Sequence, residues 1–129
     1  MTVGVGIDLV EVDRLERALA EHGSRFEQRI YTAGEIHDCD GRADRTLALA
    51  ARFAAKEACL KALGTGWSGG IGFRDVEVVR DSAGRPQIRL HGRAAERARA
   101  IGVERVHVSL THERRVAGAV VLLDGPSAA

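Results

Sequence analysis

R-F-A-A-K-E-A-C-L-K-A-L-G-T-G, Arg52 to Gly66, is the stretch on which the reading of this chain turns. It extends a helix that begins at Asp44 or Thr46 and runs to about Leu63, rich in alanine and leucine and free of glycine and proline. Phe53, Glu57, Leu60, Lys61 and Gly64 fall on one stripe of that helix. An acid thus lies between two lysines, Lys56 and Lys61, just before a glycine-rich turn. Glu57 and Lys61, four apart, suit an exposed ion pair worth ~0.3–0.5 kcal/mol. They equally suit a carboxylate on a hard cation beside an ammonium on a phosphate. Lys56, about 100° around the helix from Glu57, reaches either the same phosphates or solvent.

Outward from this helix, Thr2 to Val10 alternates as a strand. Val3, Val5, Ile7 and Leu9 take one face and Gly4, Gly6 and Asp8 the other. Two glycines and one acid leave a bare face that another backbone or a ligand can approach closely. Asp8 is the natural second carboxylate for a cation held by Glu57. Asp13 is the expected cap of a helix from Arg14 to Glu21, with Gly23 as its stop and Ser24 opening a short second helix. Thr32 and Glu35 have capping-box spacing.

Beyond the helix, Gly64-Thr65-Gly66 and the glycines to Gly72 form a loop whose amides suit a cofactor. It lacks G-x-x-x-x-G-K-[ST] and follows a helix, so it is neither a P-loop nor a dinucleotide fingerprint. Strands are expected over Phe73–Arg80 and Pro86–His91, a helix over Gly92–Ile101, and strands over Arg105–Thr111 and Val116–Leu123. A turn of His112 to Arg115 joins the last two. His107, Ser109 and Thr111 make an unbroken polar row, solvated or ligand-facing. Late strands that come as hairpins predict an α+β fold with a mainly antiparallel sheet packed on the long helix. The chain reads as one domain over residues 1–129.

Bulk properties exclude several classes. With 129 residues and 45% hydrophobic content, the chain builds one modest core. A net charge of +1 argues against a generic nucleic-acid binder, and 4% aromatics against a stacking platform for single strands. Cys39 and Cys59 have no metal or C-x-x-C spacing and read as reduced thiols. No signal peptide and no apolar run approaching the ~20 residues of a membrane span are evident, so a cytoplasmic protein is expected. Arg14, Arg17, Arg25 and Arg29 interleave with Glu11, Glu16, Glu21 and Glu27. That pattern is either a solvated mixed-charge face or a dock for an acidic helix.

Three blocks, G-I-D at Gly6–Asp8, R-F-A-A-K-E-A with its following K-A-L-G-T-G, and H-V-S-L-T-H at His107–His112, resemble those of the holo-[acyl-carrier-protein] synthases. These are the small subfamily of 4′-phosphopantetheinyl transferases. The resemblance runs from Gly4 to about Val121. It implies a 4′-phosphopantetheinyl transferase-like fold and a Mg²⁺-dependent enzyme of fatty acid biosynthesis and lipid metabolism. Such an enzyme moves 4′-phosphopantetheine from coenzyme A to a serine of apo acyl carrier protein and releases adenosine 3′,5′-bisphosphate. By the same resemblance, Asp8 and Glu57 are metal ligands and, with Lys61, the catalytic set. Lys56, Lys61, Gly64, Thr65, Gly66, His107, Ser109 and Thr111 line the coenzyme A site, and Arg14, Arg17 and Arg25 dock the carrier protein. The serine proton passes to a metal-bound water or, through water, to Glu57. The resemblance further implies a homotrimer with active sites between subunits, His107 coming from the neighbour. Larger monomeric relatives carry a second acid where Val10 stands, which points to water in its place. The alternative reading is a non-enzymatic module that binds coenzyme A or a nucleotide.

Overall fold

A computed structural model describes residues 1–66 and 68–127; Trp67, which the sequence reading placed in the glycine loop, and the last two residues of the tail lie outside them. The elements run β1 (Thr2–Glu11), α1 (Val12–Ile30), α2 (Ala33–Cys39), α3 (Arg45–Leu63), a 3₁₀ turn (Phe73–Asp75), β2 (Val76–Arg80), β3 (Pro86–Leu90), α4 (Gly92–Ala100), β4 (Arg105–Glu113) and β5 (Val116–Asp124). The fold is α+β, with two antiparallel sheets: three strands in the order β1-β5-β4, and the hairpin β2-β3.

The centre is α3, buried on nearly every side from Ala48 to Leu63. Its many alanines let neighbours come to backbone distance. The bare face of β1 uses this: a Cβ added at Gly6 would lie 1.9 Å from the carbonyl oxygen of Ala58, and one at Gly4 2.2 Å from that of Ala62. Only glycine fits there. Ala119, Val121 and Leu123 of β5 join Ala54, Ala58 and Leu60 in the main core cluster.

With its glycine side against α3, β1 turns its apolar side outward. Val5, Ile7 and Leu9 are 62%, 64% and 71% exposed. Strand register puts Val120 opposite Ile7 and Ser109, and Leu122 opposite Val5 and His107. The outer sheet face therefore carries an apolar band on β1 and β5 beside the polar row on β4.

Several expectations are corrected. Helix α1 starts directly after β1 at Val12, with no side-chain cap, and Asp13 sits in its first turn. Gly23 (φ 57°, ψ −138°) breaks the helix in two, in agreement with the expected stop there and a second helix from Ser24. Phe73–Asp75 is a 3₁₀ turn, so β2 begins at Val76. Strand β4 continues through His112 and Glu113, which leaves a two-residue turn, Arg114–Arg115, with Arg114 at φ 45°. The capping box at Thr32 is present, with Thr32 Oγ1 accepting from Glu35 N and Glu35 Oε1 from Thr32 N.

The β1–α3 contact predicts a sharp substitution effect. Gly6→Ala is expected to destabilise the fold by about 3 kcal/mol or more, through overpacking against backbone that cannot yield. Thermal melting checks it; a loss below about 1 kcal/mol would mean that the strand and helix can move apart.

Candidate active site

Beyond Gly6, β1 brings Asp8 to the helix side of the sheet. Lys61 of α3 reaches it: Nζ donates to Asp8 Oδ1 at 3.1 Å and to the Ile7 carbonyl at 3.0 Å. Asp8 is mostly enclosed and Lys61 half-exposed. Glu57 lies one turn earlier on the Lys61 stripe and is half-buried. Asp8 and Lys61 thus meet at the β1 edge of the sheet, with Glu57 one helical turn before Lys61. Two carboxylates suit a hard divalent cation whose other ligands are phosphate oxygens and water. Among the described residues, no group of three or more His, Cys, Asp or Glu gathers to hold a metal by itself.

Gly64 closes α3 in the left-handed conformation (φ 76°), and its N–H caps the Leu60 and Lys61 carbonyls. Arg97 Nε of α4 takes the Leu63 carbonyl at 3.0 Å. The Thr65 carbonyl accepts from Ser68 N and Oγ, and its hydroxyl donates to the Gly66 carbonyl. The Gly64–Gly66 segment therefore follows directly from the turn that carries Lys61.

Lys56 does not belong to this site, and its assignment to the cofactor is corrected. Its ammonium is fully buried and bonded to Glu35 Oε1 (2.7 Å), Val76 O (2.6 Å) and Phe73 O (3.2 Å). Burial pulls its pKa down, more than the neighbouring Glu35 charge restores it. Glu35 is as deeply buried and also accepts from Val78 N at 2.9 Å. The pair ties α2, α3 and β2 together with every partner polar. Cys59 is packed in the core, its thiol pushed up to about 12 by burial, so it stays protonated and inert at neutral pH.

A second cluster lies across α3. Arg52 is 1% exposed, and its Nε and Nη2 find no partner; Nη1 alone donates to the Ala48 carbonyl. It lines a cavity of about 240 Å³ with Arg42, Arg80, Pro86, Thr111 and His112. Arg42 is tied to Asp44 by two hydrogen bonds of 2.8 and 3.0 Å, so Arg52 and Arg80 supply the uncompensated charge. A buried guanidinium with two idle donors is costly unless an anion completes it. Sequence reading missed this site, since the arginine opening R-F-A-A-K-E-A looks like any helix arginine. His107 Nε2 is engaged with Asp124 Oδ2 at 3.0 Å, and Ser109 lies further along the exposed row. Of the polar row, only Thr111 lines the cavity, together with His112, which is exposed at its rim.

The two clusters do not converge within one chain. Arg52 and Lys61 are nine residues apart on α3, about 180° around its axis. Asp8 is on edge strand β1; Thr111 and His112 are on the opposite edge strand, β4, with β5 between.

On α1, Arg14, Arg17 and Arg25 are exposed. Asp13 and Glu16 are bound by Arg115, and Glu27 by Arg45 at 2.6 Å.

The Lys56–Glu35 staple carries its own prediction. Glu35→Gln or Lys56→Met is expected to cost about 3–5 kcal/mol by stranding a buried charge. Chemical denaturation measures it; a loss under about 1 kcal/mol would contradict the staple.

The family model described as "4'-phosphopantetheinyl transferase superfamily" matches residues 4–120. The holo-[acyl-carrier-protein] synthase of Nitratidesulfovibrio vulgaris is 52% identical over 124 residues, which cover 96% of this chain and 99% of that protein. The crystal structure of the synthase from Neisseria meningitidis superposes with a TM-score of 0.88 at 32% identity, covering 96% of this chain and 99% of that one. The Bacillus anthracis synthase, solved in complex with CoA (3′,5′-ADP), gives 0.80 at 35% identity, covering 98% and 99%. With its two clusters carried on a shared helix and sheet, this chain belongs to the 4′-phosphopantetheinyl transferase superfamily.

Proposed function

We infer that the chain is a phosphopantetheinyl transferase that moves 4′-phosphopantetheine from coenzyme A to a serine hydroxyl of an apo acyl carrier protein. The single observation that carries this is the Asp8–Lys61 contact beside Glu57, set on a family match over nearly the whole chain. Residues 1–129 act as one transferase domain. The setting is cytoplasmic, in keeping with two buried, unpaired cysteines; among the described residues no helix is long and apolar enough to cross a membrane.

Asp8 and Glu57 would hold Mg²⁺ against the pyrophosphate of coenzyme A. When bound, the ion neutralises charge on the attacked phosphoryl and on the leaving phosphate. Lys61, which here pairs with Asp8, would present its half-exposed ammonium to a phosphate oxygen. The Gly64–Gly66 backbone borders that side. The serine hydroxyl oxygen attacks the phosphorus that bears pantetheine and gives its proton to water; a new P–O bond forms, the bond to adenosine 3′,5′-bisphosphate breaks, and that bisphosphate leaves with the bonding electron pair. Alignment and charge, rather than a covalent enzyme intermediate, lower the barrier.

The Arg52 cavity receives the nucleotide's 3′-phosphate end. Arg52 Nε and Nη2 are donors waiting for an anion, Arg80 adds charge, and Pro86 and Thr111 border the base and ribose. His112 is the histidine of this pocket. His107 and Ser109 face the outer sheet surface beside it.

Since the clusters lie on opposite sides of α3, one coenzyme A spans two chains. The β1 edge of one copy meets the β4 edge of the next, a head-to-tail contact that closes into a ring. The apolar band of Val5, Ile7, Leu9 and Val120 supplies the buried surface. A homotrimer fits this arrangement. Arg14, Arg17 and Arg25 form the carrier-docking face.

Intact-mass spectrometry of an apo acyl carrier protein incubated with enzyme, coenzyme A and Mg²⁺ tests the reaction. One added phosphopantetheine is expected, abolished by EDTA and by Asp8→Ala or Glu57→Ala in folded samples. EDTA-resistant transfer would refute the metal assignment. No transfer at all, with coenzyme A still bound, would favour a non-enzymatic binding module. Arg52→Leu is expected to raise the KM for coenzyme A at least about tenfold while leaving that for dephospho-coenzyme A unchanged. An equal rise for both would move the 3′-phosphate elsewhere.

A further inference from the structure

Helix α1 reads in sequence as a balanced mixture of charges: Asp13, Glu16, Glu21 and Glu27 among Arg14, Arg17, Arg25 and Arg29. The fold unbalances it. Asp13 stands four residues before Arg17, the spacing of a helix ion pair. It is taken instead by Arg115, from the two-residue turn between β4 and β5. The same guanidinium nitrogen, Nη2, donates to Glu16 Oε2 at 3.0 Å. At the far end of the helix, Arg45 of α3 takes Glu27 at 2.6 Å. Among the described residues, Arg14, Arg17 and Arg25 form no ion pair, and Glu21 has only His22 at 3.9 Å. Cations from outside the helix therefore quench its acids and leave its arginines unspent.

We propose that Arg115 is a specificity-determining residue for the acidic carrier protein: by holding Asp13 and Glu16, it keeps the Arg14–Arg17 face net positive. This rests on the reading of α1 as the carrier dock. Two features separate the role from stabilisation. All three side chains are more than half exposed, where ion pairs contribute little to folding. The turn is fastened to the helix independently, by the backbone hydrogen bond from Val12 N to the Arg115 carbonyl at 2.8 Å, which a side-chain substitution leaves in place. Without the guanidinium, two carboxylates return to the rim of the face, where like charge slows encounter with an acidic partner and makes binding salt-sensitive.

The test compares wild type, Arg115→Ala, the triple variant Arg115→Ala/Asp13→Asn/Glu16→Gln, and Arg14→Glu, all as intact enzyme with apo acyl carrier protein. Arg115→Ala is expected to raise the carrier KM about fivefold at low salt, with the effect shrinking as salt screens it. The KM for coenzyme A, kcat and melting temperature should stay as in wild type. The triple variant, which deletes the released carboxylates as well, should restore the carrier KM. If Arg14→Glu raises the carrier KM but Arg115→Ala does not, or if the triple variant fails to rescue, the shielding role of Arg115 is overturned while the dock stands. If Arg14→Glu also has no effect, the dock and this inference fall together.

Discussion

The contact between the glycine side of β1 and the backbone of α3 governs the rest of this molecule. Gly4 and Gly6 sit where a single methyl group would strike the Ala62 and Ala58 carbonyls. That approach fixes which side of β1 faces inward. Asp8 is thereby delivered to Lys61, and Val5, Ile7 and Leu9 are turned to the outside. One packing constraint produces both a carboxylate poised at the helix and a sheet face that asks for a partner.

The same helix explains why the functional residues divide. Lys61 and Arg52 point about 180° apart on α3. A solitary helix face would gather them; a helix buried on nearly every side serves a different neighbour with each face. The β1 side receives the acid cluster. The β4 side receives the arginine cavity with Thr111 and His112. Lys56 faces a third direction, where Glu35, Phe73 and Val76 enclose it as structural glue. In this chain the motif R-F-A-A-K-E-A therefore combines a buried arginine with idle donors, a buried staple and a half-buried carboxylate in six consecutive positions.

This division also marks what the residues alone disclose. Element order and the long central helix follow from alanine-rich composition, glycine stops and alternating strands. The bare face of β1 announced a close approach by a backbone or a ligand, and the α3 backbone is what meets it. Lys56 was misplaced because an isolated lysine gives no sign of burial; only the fold brings Glu35, 21 residues away, to meet it. Arg52 was missed for the converse reason: its idle donors are a property of packing. The expected end of β4 fell two residues short, which left His112 in the turn; the strand continues to Glu113 and carries His112 to the cavity. Charge interleaving on α1 looked neutral because the quenching cations, Arg115 and Arg45, lie far along the chain.

The central claim is that a complete site takes its acid cluster from one copy and its arginine cavity from the next. Subunit mixing tests it most directly. Asp8→Ala and Arg52→Leu enzymes, each nearly inactive at limiting coenzyme A, are unfolded together, refolded as mixed rings and assayed for transfer to apo acyl carrier protein. If sites form between copies, a 1:1 mixture recovers about a quarter of wild-type activity, the share of junctions in which both halves are intact. If the mixture remains as inactive as its parents, all catalytic groups lie within one chain, and the split-site account is wrong.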